Sequence, residues 1–320
     1  MSKSARILEF LRKGQGYVSG ETISEKLDVS RAAVWKEIQA LRLLGYVIDS
    51  QPHEGYRLLK APDKLFADEI AHGLETKIIG RQILSYDELD STNDAAFRLG
   101  QDGVAEGAAL FAEYQKKGRG RLGRTWVSPK GKSLTFSYLL RPDLSPSQIA
   151  RVTLVTGVSL VRAASRATGK RLGLKWPNDL YFEDRKVAGI LTEMSAEADK
   201  INFVVVGIGI NVNVAENDLP PSSTSLSAIA GREIGRVSFV QTLLAEIEKD
   251  YLRLKKGGFE EIAREWEEYS VTTGRRVLAR LSGREVEGQA SGIDADGALW
   301  IRRDDGLQER ILSGDIQQLR

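Results

Sequence analysis

The spacing of apolar residues changes twice along this 320-residue chain. Residues 1–60 have helical periodicity followed by a hairpin pattern, residues 66–270 mix long helices with strand-like runs, and residues 271–320 contain only short strands. A single small core does not accommodate three such patterns, and the length suits two or three domains. We therefore predict a multidomain α+β protein with these three domains and a linker at residues 61–65.

Composition narrows the chemistry that the chain can carry out. There is no Cys in the sequence, so disulfides, thiolate metal sites and a cysteine nucleophile are excluded. Neither the charged N-terminus nor any later segment has about 18 consecutive apolar residues. We therefore expect a cytoplasmic protein that makes no membrane contact. The net charge of +2 says little about partners, although the small positive excess lies in the first domain.

The first domain is predicted to contain three helices and a hairpin. Val34, Ile38 and Leu41 recur at i, i+4 and i+7, so they should face the core from the third helix. Ser30 follows a tight turn and is a suitable N-cap for that helix. The segment 46–59 has the pattern of two strands joined by a turn, which would form a wing.

A short helix, a tight turn, an amphipathic helix and a wing, in this order, favour DNA binding. The predicted DNA-contacting residues are Ser30, Arg31, Trp35, Lys36, Gln39 and Arg57. Arg57 on the wing and Lys26 on the preceding helix would contact phosphates. Trp35 would either touch DNA or shield the helix–turn junction, and the packing role is favoured. The alternative is a helical interaction domain with ordinary surface charge.

The loop GRGRLG at 118–123 has the spacing of a dinucleotide-binding fingerprint. The segment that follows, 124–129, leads into a strand, whereas pyrophosphate binding requires a helix to begin within the loop. We therefore reject a Rossmann site. Arg119, Arg121 and Arg124 are separated by small residues and predict an anion-binding loop instead. A solvated basic loop is the alternative.

Two further segments contain polar residues in unusual settings. KWPND at 175–179 favours a sharp bend. This bend is either purely structural or part of a functional site. Lys186 opens the apolar strand 186–194, where a buried cation needs an anionic partner. If it has none, its ammonium group should reach the surface.

A glycine-rich strand and a hydroxyl-bearing segment complete the candidates. The run 204–213 is predicted to be a strand that ends in Gly207 and Gly209, where a ligand approaches the backbone, with Asn211 as a polar contact. A plain core strand and turn is the alternative. Ser91 is equally suitable as a helix N-cap or as a hydroxyl directed at a ligand.

Together these segments resemble the biotin-protein ligase family. The matching strings are STN at 91–93, GRGRLGRTW at 118–126, KWPND at 175–179, KVAGIL at 186–191 and GIGIN at 207–211. With the first domain included, the resemblance covers essentially the whole chain and is to the bifunctional type, which is both ligase and repressor of biotin operons. It implies a winged helix-turn-helix head, a central mixed β-sheet with helices of the class II aminoacyl-tRNA synthetase and biotin ligase type, and a small SH3-like C-terminal β-barrel. The residues themselves favour helices on one side of the central sheet.

The resemblance implies a two-step reaction. Biotin's carboxylate attacks the α-phosphate of ATP, and a lysine of a biotin carboxyl carrier protein then takes the biotinyl group. Arg119 and Arg121 would neutralise phosphate charge and close over the adenylate, and Lys186 would bridge the carboxylate and the α-phosphate. These three residues are the predicted catalytic set. Mg²⁺ would be held mainly by phosphates and water, with no metal site made of protein ligands.

The resemblance also implies which residues bind the ligands. Ser91, Thr92 and Gln115 match positions that hydrogen-bond biotin's ureido group, while Asn178, Asp179 and Asn211 match nucleotide-side or magnesium-side positions. The full predicted ligand-binding set is Ser91, Thr92, Asn93, Gln115, Gly118, Arg119, Gly120, Arg121, Trp126, Asn178, Lys186, Gly207, Gly209 and Asn211. One departure is the segment 212–226, which lacks the aromatic residue that some relatives place over adenine.

The predicted macromolecular partners are the biotin carboxyl carrier protein and operator DNA. Adenylate binding would order the loop 118–126 and promote a homodimer on a palindromic operator. Two alternatives remain. One is a non-enzymatic regulator that only senses the ligand, and the other is a lipoate-protein ligase, against which the first domain and the KWPND string argue.

Overall fold

The computed structural model describes residues 3–14, 16–281 and 283–319. It contains two compact units, Met1–Lys64 and Leu65–Arg320. The C-terminal strands therefore belong to the second unit, and their assignment to a domain of their own stays a prediction. None of the described helices is long and apolar enough to cross a lipid bilayer.

The first unit has the predicted order of three helices and a hairpin. Its elements are α1 (Lys3–Lys13), α2 (Gly20–Leu27), α3 (Arg31–Leu44), β1 (Val47–Gln51) and β2 (Gly55–Lys60), with the two strands antiparallel. The Ser30 side chain accepts a hydrogen bond from the amide of Ala33 at 3.2 Å, which caps α3. Val34, Ile38 and Leu41 are buried, so the predicted inward face of this helix is confirmed.

The second unit is built around a seven-stranded mixed sheet. Its elements before the C-terminal strands are α4 (Ala67–Ala71), β3 (Gln82–Tyr86), α5 (Thr92–Gln101), β4 (Ala108–Ala112), β5 (Ser133–Leu140), α6 (Ile149–Thr168), β6 (Gly173–Lys175), β7 (Asp179–Phe182), β8 (Arg185–Glu197), β9 (Lys200–Asn211), α7 (Leu226–Ala230), α8 (Arg236–Lys255) and α9 (Phe259–Tyr269). The strand order is β3-β4-β5-β9-β8-β7-β6. Only the β3–β4 pair is parallel.

Helices cover both faces of this sheet. Phe111 and Val204 belong to the large core that includes α6 and α8, whereas Leu110 and Val205 pack in a separate cluster with Ala96 of α5. The prediction of helices on one side is therefore wrong. The continuous apolar runs of β4 and β5, in which every residue is buried, are the pattern of strands covered on both faces.

The C-terminal strands form a five-stranded antiparallel sheet. They are β10 (Arg276–Leu281), β11 (Arg284–Ile293), β12 (Leu299–Arg302), β13 (Gln308–Ile311) and β14 (Asp315–Gln318), in the order β13-β12-β11-β10-β14. The turn between β11 and β12 has Gly297 at a left-handed φ of +86°. The indole Nε1 of Trp176 donates to the Gly297 carbonyl at 3.1 Å, which joins this sheet to the β6–β7 connection.

Truncating the inward face of α3 should destabilise the first unit. Ile38→Ala is expected to cost about 2–5 kcal/mol, because Ile38 is fully buried and the cavity will not close completely. Leu43→Ala on the same helix is the control, since Leu43 is 89% exposed and its loss should change stability by less than about 0.5 kcal/mol. Hydrogen exchange of the α3 amides in the full chain measures both. Equal effects would contradict the burial of this face.

Candidate functional site

A cavity of about 460 Å³ lies in the second unit. Its walls contain every residue of the predicted ligand-binding set except Gly118: Ser91, Thr92, Asn93, Gln115, Arg119, Gly120, Arg121, Trp126, Asn178, Lys186, Gly207, Gly209 and Asn211. A cavity of this size suits a small organic ligand. Gly118 lies behind the wall, where a Cβ atom would be 2.4 Å from the carbonyl oxygen of Trp126.

The cationic loop folds back on itself at the mouth of this cavity. The amide of Trp126 donates to the Gly118 carbonyl at 2.9 Å, and the amide of Gly120 donates to the Arg124 carbonyl at 2.6 Å. Arg121–Gly123 forms a single 3-10 turn in which Leu122 has a left-handed φ of 55°. In the described chain, no α-helix begins between this turn and β5. A dinucleotide-binding loop would need such a helix, so the loop is not of that type.

The three loop arginines have different partners. Arg119 Nη2 contacts Asp94 Oδ1 at 2.6 Å and Glu193 Oε2 at 2.8 Å. Arg124 pairs with both carboxylate oxygens of Asp315 on β14. The charges of these two arginines are thus largely compensated within the protein.

Arg121 is the exception. Its Nη1 donates to the amide oxygen of Asn178 at 3.1 Å, and this neutral group is the only hydrogen-bond partner of the guanidinium among the described residues. Burial lowers the pKa of Arg121, while the charges of Asp179 and Asp315 oppose that shift. A half-buried guanidinium without a contacting carboxylate can form charge-assisted hydrogen bonds with an added anion.

Lys186 has the anionic partner that its apolar setting requires. Its Nζ lies 2.7 Å from Asp179 Oδ1. Gly189 leaves room for this pair, since a Cβ there would be 3.3 Å from Nζ. The backbone of Lys186 is fixed by the residue 222–224 segment, because its amide donates to Ser222 at 2.8 Å and its carbonyl accepts from Thr224 at 2.9 Å.

The two glycines of β9 make room for protein side chains. Both lie inside the strand, so the prediction that the strand ends at them is wrong. A Cβ at Gly209 would be 2.3 Å from the Trp126 indole, and a Cβ at Gly207 would be 1.9 Å from Asn93 Oδ1. The indole Nε1 of Trp126 has no hydrogen-bond partner among the described residues, so this buried donor is available to a ligand.

Hydroxyl and amide groups form the opposite wall. Ser91 caps α5, accepting from the amide of Asp94 at 3.4 Å, and it also lines the cavity. The amide of Thr92 donates to Gln115 Oε1 at 2.8 Å. A backbone N–H group can only donate a hydrogen bond, so the amide oxygen of Gln115 must face Thr92. The NH₂ group of Gln115 therefore points away from Thr92.

Two asparagines of the predicted set are bonded to the protein. Asn93 is 4% exposed and donates to the carbonyl of Leu191 and to Glu193. Asn211 donates to the carbonyl of Thr224 at 3.1 Å. These bonds give both side chains fixed orientations in the cavity wall.

Several residues of the wall were missed by sequence reasoning. One is Lys175, which the sequence presents only as part of a turn motif; burial lowers its pKa, and its Nζ lies 5.1 Å from the centre of the Tyr181 ring. Burial raises the pKa of Tyr181 to about 12. The C-terminal sheet adds Arg280, Asp315, Ile316 and Gln317. Strand alternation from Asp179 could have indicated Tyr181, but no local signal connects Arg124 with Asp315, 191 positions later.

Within the described part of the chain, no group of three or more His, Asp or Glu side chains is arranged to hold a metal ion. A metal ion at this cavity would need ligands from the substrates and water.

The predicted DNA-contacting residues lie on the outside of the first unit. Ser30, Arg31, Lys36 and Arg57 are exposed, and Gln39 is half-buried. Trp35 is 57% exposed, which favours the outward role of this indole over the packing role. Their contact with DNA stays a prediction.

Three family models match the chain. Residues 3–57 match the HTH domain, residues 86–211 match the biotin/lipoate A/B protein ligase family, and residues 272–318 match the biotin protein ligase C terminal domain. The first and third matches cover the N-terminal unit and the C-terminal sheet. The second includes the cationic loop, the β6–β7 connection with Asn178, and the strands that carry Lys186 and Asn211.

The chain is similar over nearly its whole length to two bacterial proteins named bifunctional ligase/repressor BirA. It is 39% identical to that of Bacillus subtilis, covering 96% of each chain. It is 32% identical to that of Escherichia coli, covering 97% of this chain and 95% of the relative. Among solved structures, the biotin protein ligase from Aquifex aeolicus in complex with biotin and ATP is 33% identical, with a TM-score of 0.64, covering 75% of this chain and 99% of that one.

The pair between Arg124 and Asp315 should hold the cationic loop closed. Asp315→Asn is expected to speed trypsin cleavage after Arg119, Arg121 or Arg124 several-fold, since the loop loses its link to β14. Asp305→Asn, which removes another exposed carboxylate of the C-terminal sheet, paired with Arg303, is the control. Mass spectrometry of the fragments locates the cleavage. Unchanged loop cleavage in Asp315→Asn would contradict this role.

The same pair sets a pH dependence. The hydrogen bond from Arg124 keeps the pKa of Asp315 below its usual value. The stabilisation is therefore fully present above the unfolded-state pKa of about 4 and is lost as pH falls through the lower folded-state pKa. Loop cleavage by an acid-active protease of defined specificity should accordingly increase below about pH 4 in the original chain and change less in Asp315→Asn.

Proposed function

We propose that this chain, which belongs to the biotin protein ligase family, is a biotin-protein ligase that is also a DNA-binding repressor of biotin genes. The carboxylate oxygen of biotin would attack the α-phosphorus of ATP, and pyrophosphate would leave. The amine of an acceptor lysine on a biotin carboxyl carrier protein would then attack the biotinyl carbonyl, and AMP would leave with a proton released. The observation that carries this proposal is the pair of cations, Arg121 and Lys186, in one cavity.

Charge explains why those two cations are needed. A carboxylate approaching a phosphate is repelled, and the repulsion is strong in a half-buried cavity. Lys186 would bridge the biotin carboxylate and the α-phosphate, leaving its present partner Asp179. Arg121 is available to the phosphate because its present bond is to a neutral amide. Arg119, with two carboxylate partners, would mainly order the loop over the adenylate.

The neutral end of the cavity suits the ureido ring of biotin. The ring presents one carbonyl oxygen and two N–H groups. Gln115 offers an NH₂ donor, since Thr92 holds its oxygen, and Ser91 offers a hydroxyl that can donate or accept. A neutral head group needs no charged partner, so these hydroxyl and amide groups favour it over an ionic one.

The nucleotide would occupy the side of the cavity that Asn178, Asp179, Trp126 and Asn211 line. The unpartnered indole N–H of Trp126 would donate to the adenylate. Mg²⁺ would be held mainly by phosphates and water, since the donor set offers Asp179 but no cluster of carboxylates. Mg²⁺ would add positive charge at the phosphates, and the protein side chains named here would orient the reactants.

Acceptor labelling tests the enzymatic proposal. The full chain, with ATP, labelled biotin and a biotin carboxyl carrier domain, is expected to label one acceptor lysine. Lys186→Ala should slow biotin-dependent pyrophosphate exchange by about 10²–10³-fold, and Arg121→Ala should form adenylate but release it faster. Lys200→Ala, which removes an exposed lysine at the start of β9, should behave as the original chain.

The outcomes separate the alternatives. If the acceptor is not labelled although biotin binds, a non-enzymatic ligand-sensing regulator accounts for the cavity instead. If lipoate competes successfully with biotin for adenylate formation, the chain is a lipoate-protein ligase. If both variants form and hold adenylate normally, Lys186 and Arg121 do not have the proposed roles.

The first unit is proposed to bind operator DNA through α3 and the wing. Arg57 lies exposed on β2, where it would contact a phosphate. Arg57→Ala should therefore reduce the slope of log affinity against log salt by about 1 without changing sequence preference. Binding to DNA selected from a random library, measured across salt concentrations, tests this. A changed sequence preference with an unchanged slope would contradict a phosphate contact.

Repression is proposed to require a dimer. Adenylate bound under the loop 118–126 would promote a homodimer that presents two first units to a palindromic operator. Sedimentation of the full chain with biotin and ATP should show a larger species than without them. An unchanged monomer at concentrations that bind the operator would contradict the proposal.

A further inference from the structure

Glu193 on β8 joins the cationic loop to the wall of the cavity. One of its carboxylate oxygens, Oε2, accepts from Arg119 Nη2 at 2.8 Å and from Asn93 Nδ2 at 2.6 Å. Glu193 is paired in register with Val205 of β9, so it projects from the middle of the central strand pair. The carboxylate is therefore held on a rigid element, while one of its donors lies on a loop and the other on α5.

Asn93 has only one possible orientation in this setting. Its side chain faces the carbonyl of Leu191 and the carboxylate of Glu193, both of which can only accept hydrogen bonds. The NH₂ group must therefore be on that side, and Oδ1 must face Ser137, whose hydroxyl donates to it at 2.6 Å. Gly207 leaves the space that this orientation needs.

The bonds continue from Ser137 to the hydroxyl and amide wall. Ser137 Oγ lies 2.7 Å from Thr92 Oγ1, and both side chains are buried. Thr92 in turn donates through its backbone amide to Gln115 Oε1 at 2.8 Å. The orientation of the Gln115 amide thus depends on the first turn of α5, which Asn93 and Glu193 hold in place.

We propose that Glu193 is a positioning residue of this cavity. It fixes Asn93, and through it the first turn of α5, so that Ser91 and Gln115 are set to receive a neutral cyclic amide. With the same oxygen it holds Arg119, which orders the cationic loop. The inference rests on the proposed function, because it identifies that amide as the ureido ring of biotin.

Glu193→Met removes this double role with little change in side-chain length. The thioether accepts hydrogen bonds only weakly, so Asn93 Nδ2 and Arg119 Nη2 both lose the oxygen that they share. A buried donor of Asn93 is then left without that partner. Asp94→Asn separates the two roles, since Asp94 contacts Arg119 but does not contact the Asn93 amide in the hydrogen bonds of the described residues.

Calorimetric titration of the full chain with biotin, without ATP, tests the proposal. Glu193→Met is expected to weaken biotin binding about 10-fold or more, the effect of leaving a buried polar group unpaired. Glu197→Met is the matched control, because Glu197 is an exposed carboxylate on the same strand. Its affinity and that of Asp94→Asn should stay within about twofold of the original. Asp94→Asn should instead speed trypsin cleavage of the loop.

The titration separates the possible failures. Binding of biotin by Glu193→Met with the original affinity would overturn the inference. So would a reduced number of binding sites at unchanged affinity, since that result indicates misfolding of part of the sample without a positioning role. If the original chain does not bind biotin, the proposed function is wrong, and this outcome is visible before any variant is measured.

Discussion

The concentration of positive charge at one half-buried cavity is the constraint on which the second unit depends. Like charges repel strongly where solvent is reduced, so each cation needs a partner from the fold. Carboxylates from α5, β7, β8 and β14 supply partners for Arg119, Lys186 and Arg124. The elements that carry those carboxylates must therefore converge on the loop. Among the three loop arginines of the described chain, Arg121 has a neutral amide as its side-chain partner, and this leaves its charge available to an added anion.

The close approach of these elements depends on small residues in the sheet. The indole of Trp126 rests on Gly209, and the amide of Asn93 rests on Gly207. Both glycines are on β9, a strand that is buried along nearly its whole length and paired on both sides. The site is thus built on a buried central strand of the sheet, with the loop and α5 packed against it. A rigid base is what placement of two reactants within bonding distance requires.

The sequence predicts well those features that are determined locally. The inward face of α3, its Ser30 cap and the strand that begins near Lys186 follow from periodicity and capping within a few residues. Features that depend on distant segments could not be predicted. The pairing of Arg124 with Asp315 spans 191 positions, and nothing local specifies it. Gly207 and Gly209 line the cavity as expected of ligand-facing glycines, but their contacts with Asn93 of α5 and Trp126 of the loop follow from the tertiary fold.

The proposed function requires that biotin and AMP are joined in this cavity. The direct measurement is a rapid-quench reaction of the full chain with biotin and ATP labelled at the α-phosphate, in the absence of any acceptor protein. We expect one labelled biotinyl-adenylate per chain. It should stay bound through gel filtration, because Arg121 holds its phosphate. No labelled adenylate, or release of AMP from ATP without biotin, would contradict it.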